Sequence, residues 1–278
     1  HTYLEVFDQY MTKSAVRPGD FATLDKSIKL SLDHEDFAFS SGIQSYESLG
    51  EVKKSDRYSY NLPYYSFSKS IKQDYINGNF SFGSSGNNYL KNTNQLETSI
   101  INNLAYNSLD FISDLGFKTN FGINFRNLNS VGKNTIKYKS SPQMELLSIY
   151  NTDLSFPLIK QNKKTKNRLT PKLSFRFNPS DMKNYSSSGN VIDANNAFSI
   201  DRFGFSDSYE SGRSLTLGLD YKKEQKNNSN NSDEIKRINN YFRTKLAMVL
   251  RDKEEKFIPK VSSLNRTNSN LFGAINSK

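Results

Sequence analysis

The chain has 278 residues, with 38 Lys and Arg against 28 Asp and Glu, a formal net charge of +10, two His and no Cys or Trp. The absence of Cys excludes disulfides, thiol chemistry and thiolate metal sites. A mean hydropathy of −0.71 with 35% hydrophobic residues reads as a polar, partly disordered chain, yet 20 Phe and 16 Tyr are far more aromatic surface than disorder carries.

No run of about 18 apolar residues occurs, so a transmembrane helix is not expected. The chain begins at His1 without a signal peptide, which reads as a processed product or a piece of something longer. His1 to Asp20 shows no sustained alternation and reads as a loop ending in the turn Arg17-Pro-Gly-Asp20. From there a period of two takes over. Leu24 to Leu32 sets Ile28, Leu30 and Leu32 against Lys29 and Ser31, and Phe37 to Tyr46 returns after the polar turn Asp33-His-Glu-Asp36. Arg57 to Ser68 is a third strand whose apolar parity switches beside Pro63, where a bulge is expected. Gly78 to Gly86 and Gln95 to Tyr106 are the fourth and fifth.

Gly116 to Leu128 is the clearest strand. Phe117, Phe121, Ile123 and Phe125 share one side, and Lys118, Asn120, Asn124 and Arg126 the other. Glu145 to Leu158 follows. Arg168 to Asn178 then sets Leu169, Leu173, Phe175 and Phe177 against Arg168, Lys172, Ser174 and Arg176. Leu215 to Tyr221, Asn239 to Arg251 and Ser269 to Ser277 complete eleven expected strands. Connections near 33–36, 69–77, 107–115 and 159–167 are shorter than those near 129–144, 179–212 and 252–268. Lys223 to Ile238 breaks that trend as a polar insertion read as disordered.

Cations alternating with large apolar residues suit a strand with lipid on one face and a water-filled lumen on the other. The expected fold is therefore all-β: an antiparallel transmembrane β-barrel segment of about 11 strands, open in isolation, since bacterial barrels have even strand numbers and close their edges. Lys118, Arg126, Lys172, Arg176, Arg243 and Lys245 are the candidate lumen-lining basic residues. They suit guidance of phosphorylated sugars, or simply hydrate the lumen and pair with Asp and Glu across it.

Catalytic chemistry is not indicated. His34 in Asp-His-Glu-Asp sits in a strand turn whose side chains diverge, so no metal site is expected, and one interior His gives no nucleophile–base pair. No Gly-rich phosphate loop opens a helix, and no cofactor is implied. Basic and aromatic interleaving can suit single-stranded nucleic acid. Strict alternation over many strands is better explained by lipid, so no nucleic-acid partner is expected.

Asp193 to Arg213, running into Leu215-Thr-Leu-Gly-Leu219, resembles the LptD family of lipopolysaccharide-assembly outer-membrane proteins. That family commonly reads N-x-F-x-x-x-R-F-x-G-x-D-R-x-x-x-G, and this chain offers Asn196, Phe198, Arg202, Phe203, Asp207 and Gly212. It departs with Phe205 where Gly is common and Ser208 where Arg is common. Asp56-Arg57-Tyr58 with Leu62-Pro63, Arg168-Leu-Thr-Pro171, and Leu250-Arg-Asp252 with Ile258-Pro259 and Ser269-Asn-Leu-Phe-Gly273 resemble the family in the same order.

The resemblance implies that residues 1–278 are the middle of a C-terminal barrel domain of roughly 26 strands, the top of the usual range. The N-terminal jelly roll and the first and last strands would lie outside it, and the lateral gate with them. Implied partners are lipopolysaccharide, outer-membrane lipid, an LptE-like lipoprotein plug, and an LptA-like periplasmic bridge reached through the jelly roll. The implied function is insertion of lipopolysaccharide into the outer leaflet of the outer membrane, without catalysis. The alternative is a passive porin or nutrient channel. The loop Pro179 to Gly212 is expected to be extracellular and to fold inward. Asn196, Phe198, Arg202, Phe203, Asp207 and Gly212 are its candidate plug contacts, with self-packing of the loop, Arg202 bridging an Asp, as the other reading.

Overall fold

A computed structural model describes residues 23–48, 57–71, 76–92, 94–162, 164–226 and 238–277. Their strands are β1 (Thr23–Asp33), β2 (Phe37–Ser48), β3 (Tyr58–Ile71), β4 (Gly78–Lys91), β5 (Gln95–Ser108), β6 (Phe111–Ile112), β7 (Lys118–Lys133), β8 (Gln143–Ser155), β9 (Leu158–Gln161), β10 (Thr165–Asn178), β11 (Gly212–Lys226), β12 (Ile238–Arg251) and β13 (Phe272–Ser277). They form a 13-stranded antiparallel sheet. Its hydrogen-bonded path is β1-β2-β3-β4-β5-β7-β8-β10-β11-β12-β13, with β6 on β7 and β9 on β10. Among the described residues no helix is long and apolar enough to cross a membrane.

The eleven strands expected from alternation are the eleven of this path. β6 and β9 span only two and four residues, too short to show a period. The expected strand Glu145 to Leu158 is split into β8 and β9 around Phe156-Pro157, because Pro157 has no N–H to place in a ladder. β3 runs through the cis Leu62–Pro63 bond, and both of these residues are exposed. Between β4 and β5, Asn92 has φ 52° and Asn94 N–H reaches Lys91 O at 3.3 Å, a close return where the other connections of that parity are long. The expected loop His1 to Asp20 and most of the insertion Lys223 to Ile238 lie outside the described residues.

Two compact units divide the chain. The first comprises the described residues up to Ser68, Ser84–Ile100 and Asn129–Met144. In it β1 and β2 pair Ile28 with Ile43 and Leu32 with Phe39, leaving Ile28, Leu30 and Leu32 bare to solvent. Glu47 of β2 is buried and receives Lys26 at 3.1 Å and Arg57 at 3.0 Å.

The second unit comprises Lys69–Gly83, Ile101–Leu128 and Glu145–Lys278. Its sheet has two unlike faces. On one, Leu154, Leu173, Leu217 and Met248 are successive cross-strand partners, and so are Thr152, Phe175, Leu215 and Leu250. Phe121, Phe175 and Leu246 on this face are 38%, 45% and 38% exposed, with no second layer over them among the described residues. On the other face, Asn151, Arg176, Ser214 and Arg251 are successive partners, and Arg176 is 5% exposed. Segments 179–211 and 252–271 lie over that second face. The apolar core forms there: Met182, Ile192, Ala197, Phe203 and Phe205 of the long loop, Ile258 and Leu264 of the next, and Ala247 and Val249 of β12. Where the two segments lie, the second unit's sheet buries its charged face while its oily one stays exposed, the reverse of a water-soluble sheet.

Candidate functional site

The site is the underside of the long loop where it meets β10, β11 and β12. The register puts Arg176 and Arg251 on either side of Ser214, two strand spacings or about 10 Å apart. Glu210 enters between them from the loop, two residues before β11 begins. Arg176 Nη1 donates to Glu210 Oε2 at 2.7 Å, Arg202 donates through Nε at 2.9 Å and Nη2 at 2.7 Å, and Arg251 Nη1 donates to Oε1. Three guanidiniums therefore share one carboxylate, all of them buried.

Several of their other N–H groups meet backbone and hydroxyl acceptors, while Arg251 Nε is buried without a partner among the described residues. Arg176 Nη2 donates to Ser199 O at 2.7 Å, and Arg251 Nη2 to Ser211 O at 2.6 Å. Arg202 reaches Thr216 Oγ1 at 3.1 Å and Ser214 Oγ at 2.8 Å, so the loop is tied to β11 by hydroxyls of the polar face. Burial alone would raise the Glu210 pKa. Arg202, Arg176 and Arg251 overrule it and hold the carboxyl at about 2, so it is ionised at any physiological pH.

A second tie lies beside this cage. Arg126 of β7 donates to Asn103 Oδ1 at 2.7 Å and to Phe205 O at 2.5 Å, lies 3.5 Å from Asp201, and stacks 4.2 Å from the Tyr209 ring centre. Burial pushes the Asp201 carboxyl up, and Arg126 opposes that shift. Two glycines make the close approach possible. Gly212 has φ +81°, and a Cβ there would stand 3.3 Å from Arg251 Nη2. At Gly218 a Cβ would be 2.5 Å from Phe198 Cζ, so only glycine lets the Phe198 ring lie on β11.

Of the six residues expected to touch a plug, Arg202, Phe203 and Asp207 make contacts within the loop itself. Arg202 bridges Glu210, a loop acid but not an Asp. Phe203 and Phe205 stack with centroids 5.1 Å apart, and Asp207 accepts from the Tyr185 hydroxyl. Phe198 lies over Gly218 with Lys172 above its ring at 5.7 Å. Asn196 is half-buried and accepts Asp193 N–H at 2.8 Å in a local turn. Gly212 opens β11.

The six basic residues read as lumen-facing all lie on the polar face. The structure sorts them. Arg126 and Arg176 are under the loop. Lys245 reaches Asn195 Oδ1 of the loop at 2.7 Å. Lys118 pairs with Asp110, while Lys172 and Arg243 meet Asp220 at 3.8 and 2.5 Å. Neither Glu210 nor Arg251 is among the candidate site residues read from the sequence, although Arg251 falls in the passage Leu250-Arg-Asp252. Glu210 contacts partners 34 and 41 residues away, which no local period can reveal.

No metal-binding cluster of His, Cys, Asp or Glu occurs among the described residues. No protein-family model matches the chain, and the curated proteins contain no match to it.

Proposed function

We propose that the chain is a transmembrane segment of a Gram-negative outer-membrane β-barrel, and that this barrel is an LptD-like component of the translocon that inserts lipopolysaccharide into the outer leaflet. One observation carries the membrane part: the strands leave Phe121, Phe175, Leu246 and Ile275 bare and bury Arg176 on the opposite face. A surrounding hydrocarbon phase makes that arrangement favourable, at about 25 cal/mol for each Å² of apolar surface covered.

The translocon part rests on the resemblance of Asp193 to Arg213, and on the fact that its matching residues Phe198, Arg202, Phe203 and Asp207 make one folded unit pinned to the polar face. A loop fixed by a buried ion cage suits a filled interior better than an open aqueous pore. In this reading lipopolysaccharide and outer-membrane lipid are the ligands, a lipoprotein plug shares the interior, and a periplasmic bridge delivers the cargo.

A passive channel is the second reading, favoured by the cations on the uncovered part of the polar face, Lys118, Lys172 and Arg243. Planar-bilayer recording of the full chain in its native barrel separates the two. A translocon gives little steady current, and its depletion from cells lowers lipopolysaccharide at the cell surface. Steady ion-selective current with unchanged surface lipopolysaccharide would mean a channel.

A further inference from the structure

A second cationic cluster lies on the polar face away from the ion cage. Arg168 on β10 is eight residues from Arg176, about 26 Å along the strand. Arg168, Lys222 and Arg243 are direct cross-strand partners on β10, β11 and β12. Lys118 and Lys172 complete the wall of a depression of about 520 Å3, in which Asp220 is the one carboxylate.

Like charges directly opposite each other destabilise a sheet. Here three stand in one row, and the local acids do not offset them fully. Asp220 is held by Arg243 at 2.9 and 2.5 Å and lies 3.8 Å from Lys172. Lys222 pairs with Glu224, and Lys118 with Asp110. Arg168 has no ion pair among the described residues. Five cations thus meet three carboxylates around one concave, half-open site. Its volume falls within the range of small-molecule sites, roughly 300–1,000 Å3. Guanidinium forks and flexible ammonium groups together match the oxygens of a phosphoryl group.

We propose that Arg168, Lys222, Arg243, Lys118 and Lys172 form a binding site for a multiply charged phosphoryl anion, carried on a saccharide or free in solution. The site rests on the reading that this face lines the watery interior of a barrel, and it extends that reading by giving the interior a ligand chemistry.

The test is calorimetric titration of the full chain in detergent micelles, with inorganic tripolyphosphate in one arm and glucose 1,6-bisphosphate in the other. At least one binds, and the tighter arm identifies the source. The double variant Arg168→Gln/Lys222→Gln weakens that binding roughly tenfold or more, while Lys260→Gln on a distant loop leaves it unchanged. Because the double variant relieves a like-charge row, its unliganded thermal midpoint stays equal or rises, and the ligand no longer raises it. Binding by neither probe, or binding by the double variant at the parent's affinity, overturns the proposal. A lower unliganded midpoint in the double variant overturns it as well. A tryptophan at Leu219, on the apolar face, reports the barrel reading separately. Lipid contact there with no anion binding rejects the site alone, and anion binding without lipid contact rejects the barrel alone.

Discussion

Replacing Glu210 by Gln should undock the long loop. The substitution keeps the shape and removes the one carboxylate that Arg176, Arg202 and Arg251 share. Three guanidiniums, all buried, then face one another without a counter-ion. Removing one partner of a buried pair costs about 3–5 kcal/mol. The carboxyl's own titration gives a similar figure. A pKa held at about 2 against an ordinary 4.5 corresponds to about 3 kcal/mol of stabilisation of the docked loop at neutral pH. A cost near 3–4 kcal/mol raises the undocked population by roughly two to three orders of magnitude. Hydrogen exchange read by mass spectrometry over 197–211 is the assay. The Ala197 and Ser199 amides, bonded to Asp193 O and Asn196 O, should lose protection by that factor. The β1–β2 ladder, in the other unit, should exchange as before. Unchanged protection of 197–211 would refute the claim that the cage holds the loop down.

Further outcomes follow from the same geometry. Folded-state depression of the Glu210 pKa means that its contribution to loop docking is complete above about pH 4.5 and is lost as pH falls from 4.5 toward 2, so protease access to 179–211 should rise in that acid window. Gly218→Ala places a methyl group against Phe198 and should cost about 1–3 kcal/mol of loop docking. Adding Phe198→Ala should restore most of it, and additive losses in that double-mutant cycle would show that the two do not touch. Phe175→Arg puts a charge on the bare face and should cost about 2–4 kcal/mol of folding into bilayers at mid-depth. Urea titration in lipid vesicles measures it, and a neutral effect would place Phe175 in water.

The strands were legible because one physical contrast repeats along each of them. Phe117 to Arg126 and Arg168 to Asn178 alternate oily and ionic side chains, and the sheet keeps that sorting through the register from β8 to β13. Strand ends were less legible. β11 extends to Gly212 and Lys226, beyond Leu215 to Tyr221, because ladder hydrogen bonds continue through polar residues that carry no period. The close return from Lys91 to Asn94 has no counterpart in the alternation of short and long connections. At the site, the face of all six basic residues could be read, but their partners could not. Arg126 and Arg176 are read as facing a lumen and pairing with Asp and Glu across it, and their acids are Asp201 and Glu210 of the long loop, 75 and 34 residues away in sequence, beyond any local period. Self-packing of the loop was one of two expectations for Arg202, and its acid is Glu210 rather than an Asp.

The central claim is that the bare face of the second unit touches hydrocarbon. The chain has no Trp, so a single introduced tryptophan is its own reporter. Tryptophans placed one at a time at Leu173, Ser174, Phe175, Leu217, Thr216 and Leu246, in vesicles with and without brominated acyl chains, read the surroundings of each position. Quenching by the brominated chains is predicted at Leu173, Phe175, Leu217 and Leu246 and not at Ser174 or Thr216. Quenching of the first four by aqueous iodide, with no response to bromine, would contradict the membrane assignment and the transport proposal built on it.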